Sequence, residues 1–252
     1  MTLIMHARFY HPEEITVGQV IALSAENKHH AARVLRLRKG DPVTLFNGRG
    51  GEFCARIDSI RKDSITVLVD SYQDTKRESP LHIELAQAIC VNEKMDWIIQ
   101  KSVELGVSSI QPVSTARSIV HLSDERSGKR LQHWQKIVIS ACEQCGRNQV
   151  PQIYPLITLP EWLSRKKMHR TGQDVLILLS ATAAKSFKDL SEPAIDTKAA
   201  LVVGPEGGFT EEEEHAILHS GFTPLHLGNR ILRTESAALA AIAAMQTLWG
   251  DY

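Results

Sequence analysis

Leu201-Val-Val-Gly-Pro-Glu-Gly-Gly-Phe-Thr210 and Leu227-Gly-Asn-Arg-Ile-Leu-Arg-Thr-Glu-Ser-Ala237 hold the strongest structural signals in the chain. Each is a short apolar run opening into a glycine-bearing turn. The run Ala199-Ala-Leu-Val-Val203 is β-branched and apolar, as in a strand buried on both faces, and the Gly204-Pro205 pair stops it. Beyond the glycines, Thr210 reads as a helix N-cap with Glu213 at the capping-box position. The second stretch repeats the logic. Pro224-Leu-His-Leu227 ends at Gly228, a loop carries Arg230 and Arg233, and Thr234 is placed to cap an alanine-rich helix through Leu248. In open α/β sheets, ligands gather at C-terminal strand ends because free backbone groups and helix N-termini are presented there. Gly204, Gly207 and Gly208 suit a loop whose main chain touches a ligand, since glycine costs roughly 0.5–1 kcal/mol relative to alanine in regular structure. A pair of ordinary tight turns fits the same residues.

Working outward, 252 residues with 43% hydrophobic content supply a genuine core, in one α/β domain or a small domain plus a medium one. No apolar run approaches the ~20 residues needed to span a bilayer, and Met1–Tyr10 has no secretory apolar core, so a cytoplasmic location is expected, without membrane association. Four cysteines fit that compartment. Cys142 and Cys145 form a CxxC without a second pair, and helical patterning between them favours neutral thiols over zinc or a redox centre. The 29 basic and 29 acidic side chains cancel, so bulk charge does not advertise nucleic acid. Their distribution says more: between Glu26 and Gly40, Lys28, Arg33, Arg36, Arg38 and Lys39 stand against one acid, with His29 and His30 beside them, a local positive face able to hold phosphates or simply to be solvated.

From Ala7 to Asp70 the pattern is short strands. Val43–Asn47 and Glu52–Ile57 flank the glycine hairpin Gly48-Arg-Gly-Gly51, and Ser64–Val69 follows, which suggests a small β-barrel. Asn27–Leu37 reads as a helical segment whose Ala31, Val34, Leu35 and Leu37 pack on that barrel while arginines face out, one form of RNA-binding module. The polar run Gln73–Pro80 is the linker, dividing residues 1–72 from 73–252. Beyond it strands alternate with helices, the signature of a mainly parallel sheet. Strands are predicted over Leu81–Ile89, Val107–Val113, Gln152–Ile157 and Asp174–Ala181, and helices over Asn92–Leu105 and Arg126–Cys145. Lys94 and Lys101, seven apart, share one helix face, while Glu143, Gln144, Arg147 and Asn148 crowd a helix end to serve a site or merely cap it. Apart from the His29–His30 pair, the histidines are scattered without metal-ligand spacing, so no metal is expected; nucleophile-elbow, P-loop and Gly-x-Gly-x-x-Gly motifs are absent.

Taken together, the two opening stretches resemble the SPOUT (trefoil-knot) methyltransferases, and within them the small-subunit ribosomal RNA methyltransferase E family. His29-His30, Val34-Leu-Arg36, Gly40-Asp41, Glu93-Lys94, Gln100-Lys101, Glu104-Leu-Gly106, Glu143-Gln144 and Arg147 extend the match over nearly the whole chain. Asn229 and Ser236 depart from it, where the family commonly has Pro and Thr. The resemblance implies an α/β fold: an N-terminal PUA-like β-barrel and a C-terminal trefoil-knotted, mainly parallel sheet. It further implies a homodimer with sites at its interface, S-adenosyl-L-methionine as methyl donor, and N3 of a uridine in small-subunit rRNA, within an assembled 30S particle, as acceptor. Another RNA, a ribose 2′-OH, or a silent RNA-binding paralogue are the alternatives. Carried onto this chain, the donor pocket comprises Leu179 and Ser180 on one wall and Gly204, Pro205, Glu206, Gly207 and Gly208 on the second. Leu227, Gly228, Ile231, Leu232, Arg233, Ser236 and Ala237 form the third. Arg233 and Arg147 are the candidate cations for the uracil carbonyls, with Glu235 and Glu206 as orienting groups or bases, and His30, Arg33, Arg36, Arg38, Lys94 and Lys101 are expected to hold RNA.

Overall fold

The computed structural model describes residues 6–118, 124–169, 174–191 and 197–252. Two compact units emerge: Met1–Glu78 together with Cys142–Val150, and Ser79–Ala141 together with Pro151–Tyr252.

The first unit is a five-stranded sheet built from β1 (Ala7–Tyr10), β2 (Val20–Ala22), β3 (Pro42–Phe46), β4 (Glu52–Ile60) and β5 (Ile65–Gln73), in the order β1-β3-β4-β5-β2. Only β1–β3 is parallel; the other pairings are antiparallel. Register shifts at Cys54/Ala55 and Ile57/Ser59 bend β4. All five strands feed one apolar cluster, Phe9 and Ile21 from the outer strands meeting Leu45, Ile57 and Val67 from the inner ones. Helix α1 (Ala25–His29) runs directly into a π turn over His30–Val34. Here the structure corrects the sequence expectation. Ala31 is buried and Leu37 packs on the cluster, but Val34 and Leu35 are 60% and 40% exposed. The wide turn closes with Leu35 N donating to His30 O and Leu37 N to Ala31 O, and Arg36 sits at φ +53°, so the helical stripe ends before Val34 can reach the core.

In the second unit, β6 (His82–Ala88), α2 (Asn92–Glu104), β7 (Ser109–Ser114) and α3 (Asp124–Cys145), whose residues from Cys142 on count with the first unit, are followed by the two-residue strands β8 (Gln152–Ile153) and β9 (Ile157–Thr158). The single strand predicted over Gln152–Ile157 is thus two pieces, because Pro155 between them has no N–H to donate to a ladder. Next come α4 (Leu159–His169), β10 (Val175–Leu179), β11 (Lys185–Ser186), β12 (Lys198–Val203), α5 (Glu211–His219), β13 (Thr223–His226) and α6 (Thr234–Trp249). α4 went unrecognised in the sequence, although Thr158 Oγ1, accepting from Glu161 N at 3.3 Å, caps its first turn.

The sheet order is β11-β13-β10-β12-β6-β7-β8, with β9 beside β7, and every pairing is parallel. Central strands in such a sheet are covered on both faces, which accounts for the unbroken apolar runs of β10 and β12. Leu178, Val202 and Ala88 pack with Trp162, Ile217 and Phe222 from the helices and loops. α6 buries Ala238, Ala241, Ile242 and Met245, so its small residues serve close packing inside this unit. Its buried Gln246 is satisfied by Leu105 O and Ser79 Oγ at 2.9 and 2.7 Å.

Candidate active site

The C-terminal ends of β13, β10 and β12, three neighbours in the sheet, open into a cavity of about 570 Å³. Three loops wall it: Leu179–Thr182 after β10, Gly204–Phe209 after β12, and Leu227–Arg233 after β13. Parallel strands bring their ends to one edge, so two glycine turns separated by some twenty residues in sequence face a common space.

Each loop is held by identifiable contacts. Thr210 Oγ1 accepts from Glu213 N and Glu213 Oε2 accepts from Thr210 N, the reciprocal capping box read from the sequence. The other oxygen of Glu213 accepts from Ala116 N at 2.7 Å, and Arg117 donates to the carbonyls of Gly207 and Phe209 at 3.0 and 3.1 Å. The loop after β7 therefore clamps the loop after β12. A side chain on Gly204 would meet the Phe209 ring at 3.2 Å, so any larger residue here makes that ring give by a few tenths of an ångström. Gly228 sits at φ +87° with open space around it, so it is required by backbone conformation instead. Its amide donates to His226 Nδ1 at 3.0 Å.

Thr234 departs from expectation. The N-cap of α6 is Arg233, without a side-chain capping bond, and Thr234 is the first helical residue. Its hydroxyl donates to Gly204 O at 2.6 Å and accepts from Gln87 Nε2 at 3.1 Å. Gln87 is fully buried at the end of β6, aligned with Val203. A buried strut thus ties the two glycine loops to each other and to the sheet.

Polar chemistry enters from α2. Lys94 Nζ lies 3.2 Å from Glu206 Oε1 and 3.7 Å from Glu235 Oε2, with Lys94 and Glu206 lining the cavity and Glu235 behind them. Glu235 Oε2 is buried and makes no hydrogen bond. Burial works to raise the Glu206 carboxyl, but its own amide, the Lys94 ammonium and the Val91 amide outweigh it and hold it below the usual carboxylate range. The carboxylate thus sits at the N-terminus of α2, where the helix dipole favours negative charge. Cys90 next to it is pushed up to about 12, first by burial and then by the Glu206 charge, and is a neutral thiol at physiological pH.

Of the residues singled out for the pocket, Leu179, Ser180, Gly204, Pro205, Glu206, Gly208, Leu227, Gly228, Ile231, Leu232, Arg233 and Ala237 line the cavity; Gly207 and Ser236 do not. Gly207 contributes through its carbonyl to Arg117. Ile231 is 89% exposed at the rim. Lys94, expected on RNA, is part of the pocket wall, whereas Lys101 pairs with Glu104 one turn along α2. Arg147 belongs to the first unit, where its Nε donates to Glu78 at 2.8 Å, and Asn148 beside it accepts from Arg8 at 2.6 Å. Arg117, Gln87 and the bridging role of Thr234 were missed because nothing local marks a residue whose partners lie 30 to 147 positions away. Among the described residues no group of three or more His, Cys, Asp or Glu is placed to hold a metal ion.

The family profile described as "RNA methyltransferase domain" matches residues 77–246, and that described as "RNA methyltransferase PUA domain" matches residues 23–70. The ribosomal RNA small subunit methyltransferase E of Buchnera aphidicola subsp. Schizaphis graminum is 39% identical, covering 97% of this chain and 97% of the relative. Among solved structures, a ribosomal RNA small subunit methyltransferase E from Neisseria gonorrhoeae bound to S-adenosyl methionine superposes with a TM-score of 0.89 at 44% identity, over 98% of this chain and 99% of that one. A methyltransferase from Legionella pneumophila in complex with bound SAM gives a TM-score of 0.91 at 39% identity, over 99% and 100% of the two chains. With two loops closing on one strand-end cavity and likeness along its whole length, the chain belongs to the ribosomal RNA small subunit methyltransferase E family.

Proposed function

We propose that this chain is an S-adenosylmethionine-dependent methyltransferase of small-subunit ribosomal RNA, acting on N3 of a uridine. The observation that carries the reading is the cavity itself: about 570 Å³ at the ends of three parallel strands, walled by two glycine loops that Thr234 ties together. Its size suits a nucleoside-sized ligand. Gly204, packed against Phe209, and Gly228, in the left-handed region, leave main chain rather than side chain facing that ligand. Leu179, Ser180, Gly204, Pro205, Gly208, Leu227, Gly228, Leu232 and Ala237 would hold S-adenosylmethionine, which supplies a methyl group on a sulfonium when bound.

The chain's own residues then have three tasks: to orient the uracil, to accept the N3 proton and to stabilise negative charge spreading onto its carbonyl oxygens. Glu206, ionised at neutral pH and lining the cavity, accepts from N3–H; Lys94 beside it and Arg233 at the rim donate to the carbonyls. Glu235 positions Lys94 from behind. The trefoil-knot threading, the homodimer, the assembled 30S particle as substrate and the cytoplasmic location belong to the same reading. No helix among the described residues is long and apolar enough to cross a membrane.

The test is to incubate the purified protein with S-adenosylmethionine and either naked small-subunit rRNA or 30S particles from cells lacking the gene, then to digest the RNA for mass spectrometry. N3-methyluridine is the expected product. A 2′-O-methylated nucleoside would overturn the N3 assignment, and no methylation of either substrate would overturn the reading as a whole.

A further inference from the structure

We propose that Val34 and Leu35 form an apolar wedge that inserts between unstacked bases of the RNA substrate, with the arginines around it holding the backbone. The inference rests on the chain acting on RNA, as argued above. Helical spacing would bury both side chains with Ala31, yet every residue from Ala32 to Arg36 is exposed. The π turn over His30–Val34 and the left-handed Arg36 produce that exposure. Both are departures that proteins usually retain for a use: π turns gather at functional sites, and a non-glycine residue at positive φ stores backbone strain.

The surroundings select the occupant. Between Asn27 and Gly40 there is no acidic residue, while Lys28, Arg33, Arg36, Arg38 and Lys39 lie there in a chain whose formal charge is zero. Of the flanking acids, Glu26 stands in the first turn of α1 and Asp41 accepts from the Arg38 amide at 2.7 Å, two negative charges against five positive ones. A second copy of this chain seated on the pair by a two-fold axis would bring the same cations face to face, and like charges across an interface are costly. A polyanion neutralises them. Aliphatic side chains cannot hydrogen-bond base edges but do wedge between base steps, and unpaired loop nucleotides are those most cheaply separated. The wedge therefore adds affinity independent of salt, and the arginines add affinity that salt removes.

The experiment uses the full chain and two fluorescent RNAs, a hairpin with a uridine-containing single-stranded loop and a fully paired duplex of the same length, titrated across a salt series. The double substitution Val34→Ser, Leu35→Ser is expected to weaken hairpin binding about ten-fold at every salt concentration, within the range of one base contact, and to leave the log–log salt slope and duplex binding unchanged. Val34→Ile with Leu35→Met should restore hairpin affinity. Arg33→Ala with Arg36→Ala should instead flatten the slope, by about 0.7 for each single-strand phosphate no longer neutralised. Unchanged hairpin affinity in the serine variant, or an equal loss on the duplex, would overturn the wedge. So would a smaller species in sedimentation without RNA, because the pair would then belong to a contact between copies. Wild-type protein that binds neither RNA would count against the RNA-directed reading itself, a result distinct from any of these.

Discussion

Two clusters of charge, one in each unit, use the same side chains to opposite ends. In the first unit Arg8, 5% exposed, donates to Glu52 at 2.6 Å and to Asn148 at 2.6 Å; Arg77 reaches the other oxygen of Glu52, and Arg147 is paired to Glu78. Burial works to raise the Glu52 carboxyl, but Arg8 and Arg77 outweigh it and hold it low. These bonds bind the Cys142–Val150 segment into the first unit; Glu52 and Glu78 each face a guanidinium, and Glu143 accepts from Tyr10 N at 2.9 Å. In the second unit Lys94 stands between Glu206 and Glu235, two acids to one base, one of them with an oxygen that makes no hydrogen bond. Each network keeps one buried atom without a hydrogen bond, Arg8 Nε in the first and Glu235 Oε2 in the second; they differ in that guanidinium groups outnumber the carboxylates they pair with in the first, whereas in the second two acids share one base beside a cavity. Buried charge matched by counter-ions away from any cavity signals a structural staple, whereas an excess of one charge beside a pocket signals chemistry.

The largest effect is expected from Glu52→Ala. It leaves Arg8 buried without its counter-ion and is expected to cost about 3–5 kcal/mol in denaturant unfolding. The carboxyl is depressed in the folded state, so its stabilisation is present above the ordinary carboxylate range and is lost as pH falls through the depressed value. Glu52→Gln should accordingly flatten the acid limb of the stability profile. Lys94→Ala is the counterpart. Its side chain is 30% exposed, so the stability change should stay within about 1 kcal/mol, while turnover falls on the order of 10² as a charge-stabilising donor is lost. Equal effects on stability from the two substitutions would dissolve the distinction. The smallest expected effect concerns Arg36 at φ +53°. Relief of left-handed strain, worth roughly 1–2 kcal/mol, less the roughly 0.5–1 kcal/mol entropy cost of glycine, predicts that Arg36→Gly raises stability slightly while weakening RNA binding. Thermal melts beside the salt series would separate the two.

Much of the second unit was legible because its signals are local. The reciprocal Thr210–Glu213 cap, the apolar runs of β10 and β12 and the two glycine turns each depend on residues within one segment, and parallel pairing follows from strand alternating with helix. Where long-range contacts decide, local reading failed. Thr234 has an N-cap residue's chemistry but spends its hydroxyl on Gly204, thirty positions away. Val34 and Leu35 have core spacing, yet the π turn ends the helix beneath them.

Arg147 and Arg233 show the limit most clearly. Both are arginines near helix ends, and no local pattern says that one is committed to Glu78 in the first unit while the other lines the cavity. Residue order alone set most of the elements, α4 and the break between β8 and β9 excepted, together with the glycine loops and the strand edge at which a ligand site would form, since propensity, capping and periodicity act over a few residues. Which charges are paired and which face the cavity emerged with folding, because pairing and burial depend on partners brought together from distant parts of the chain.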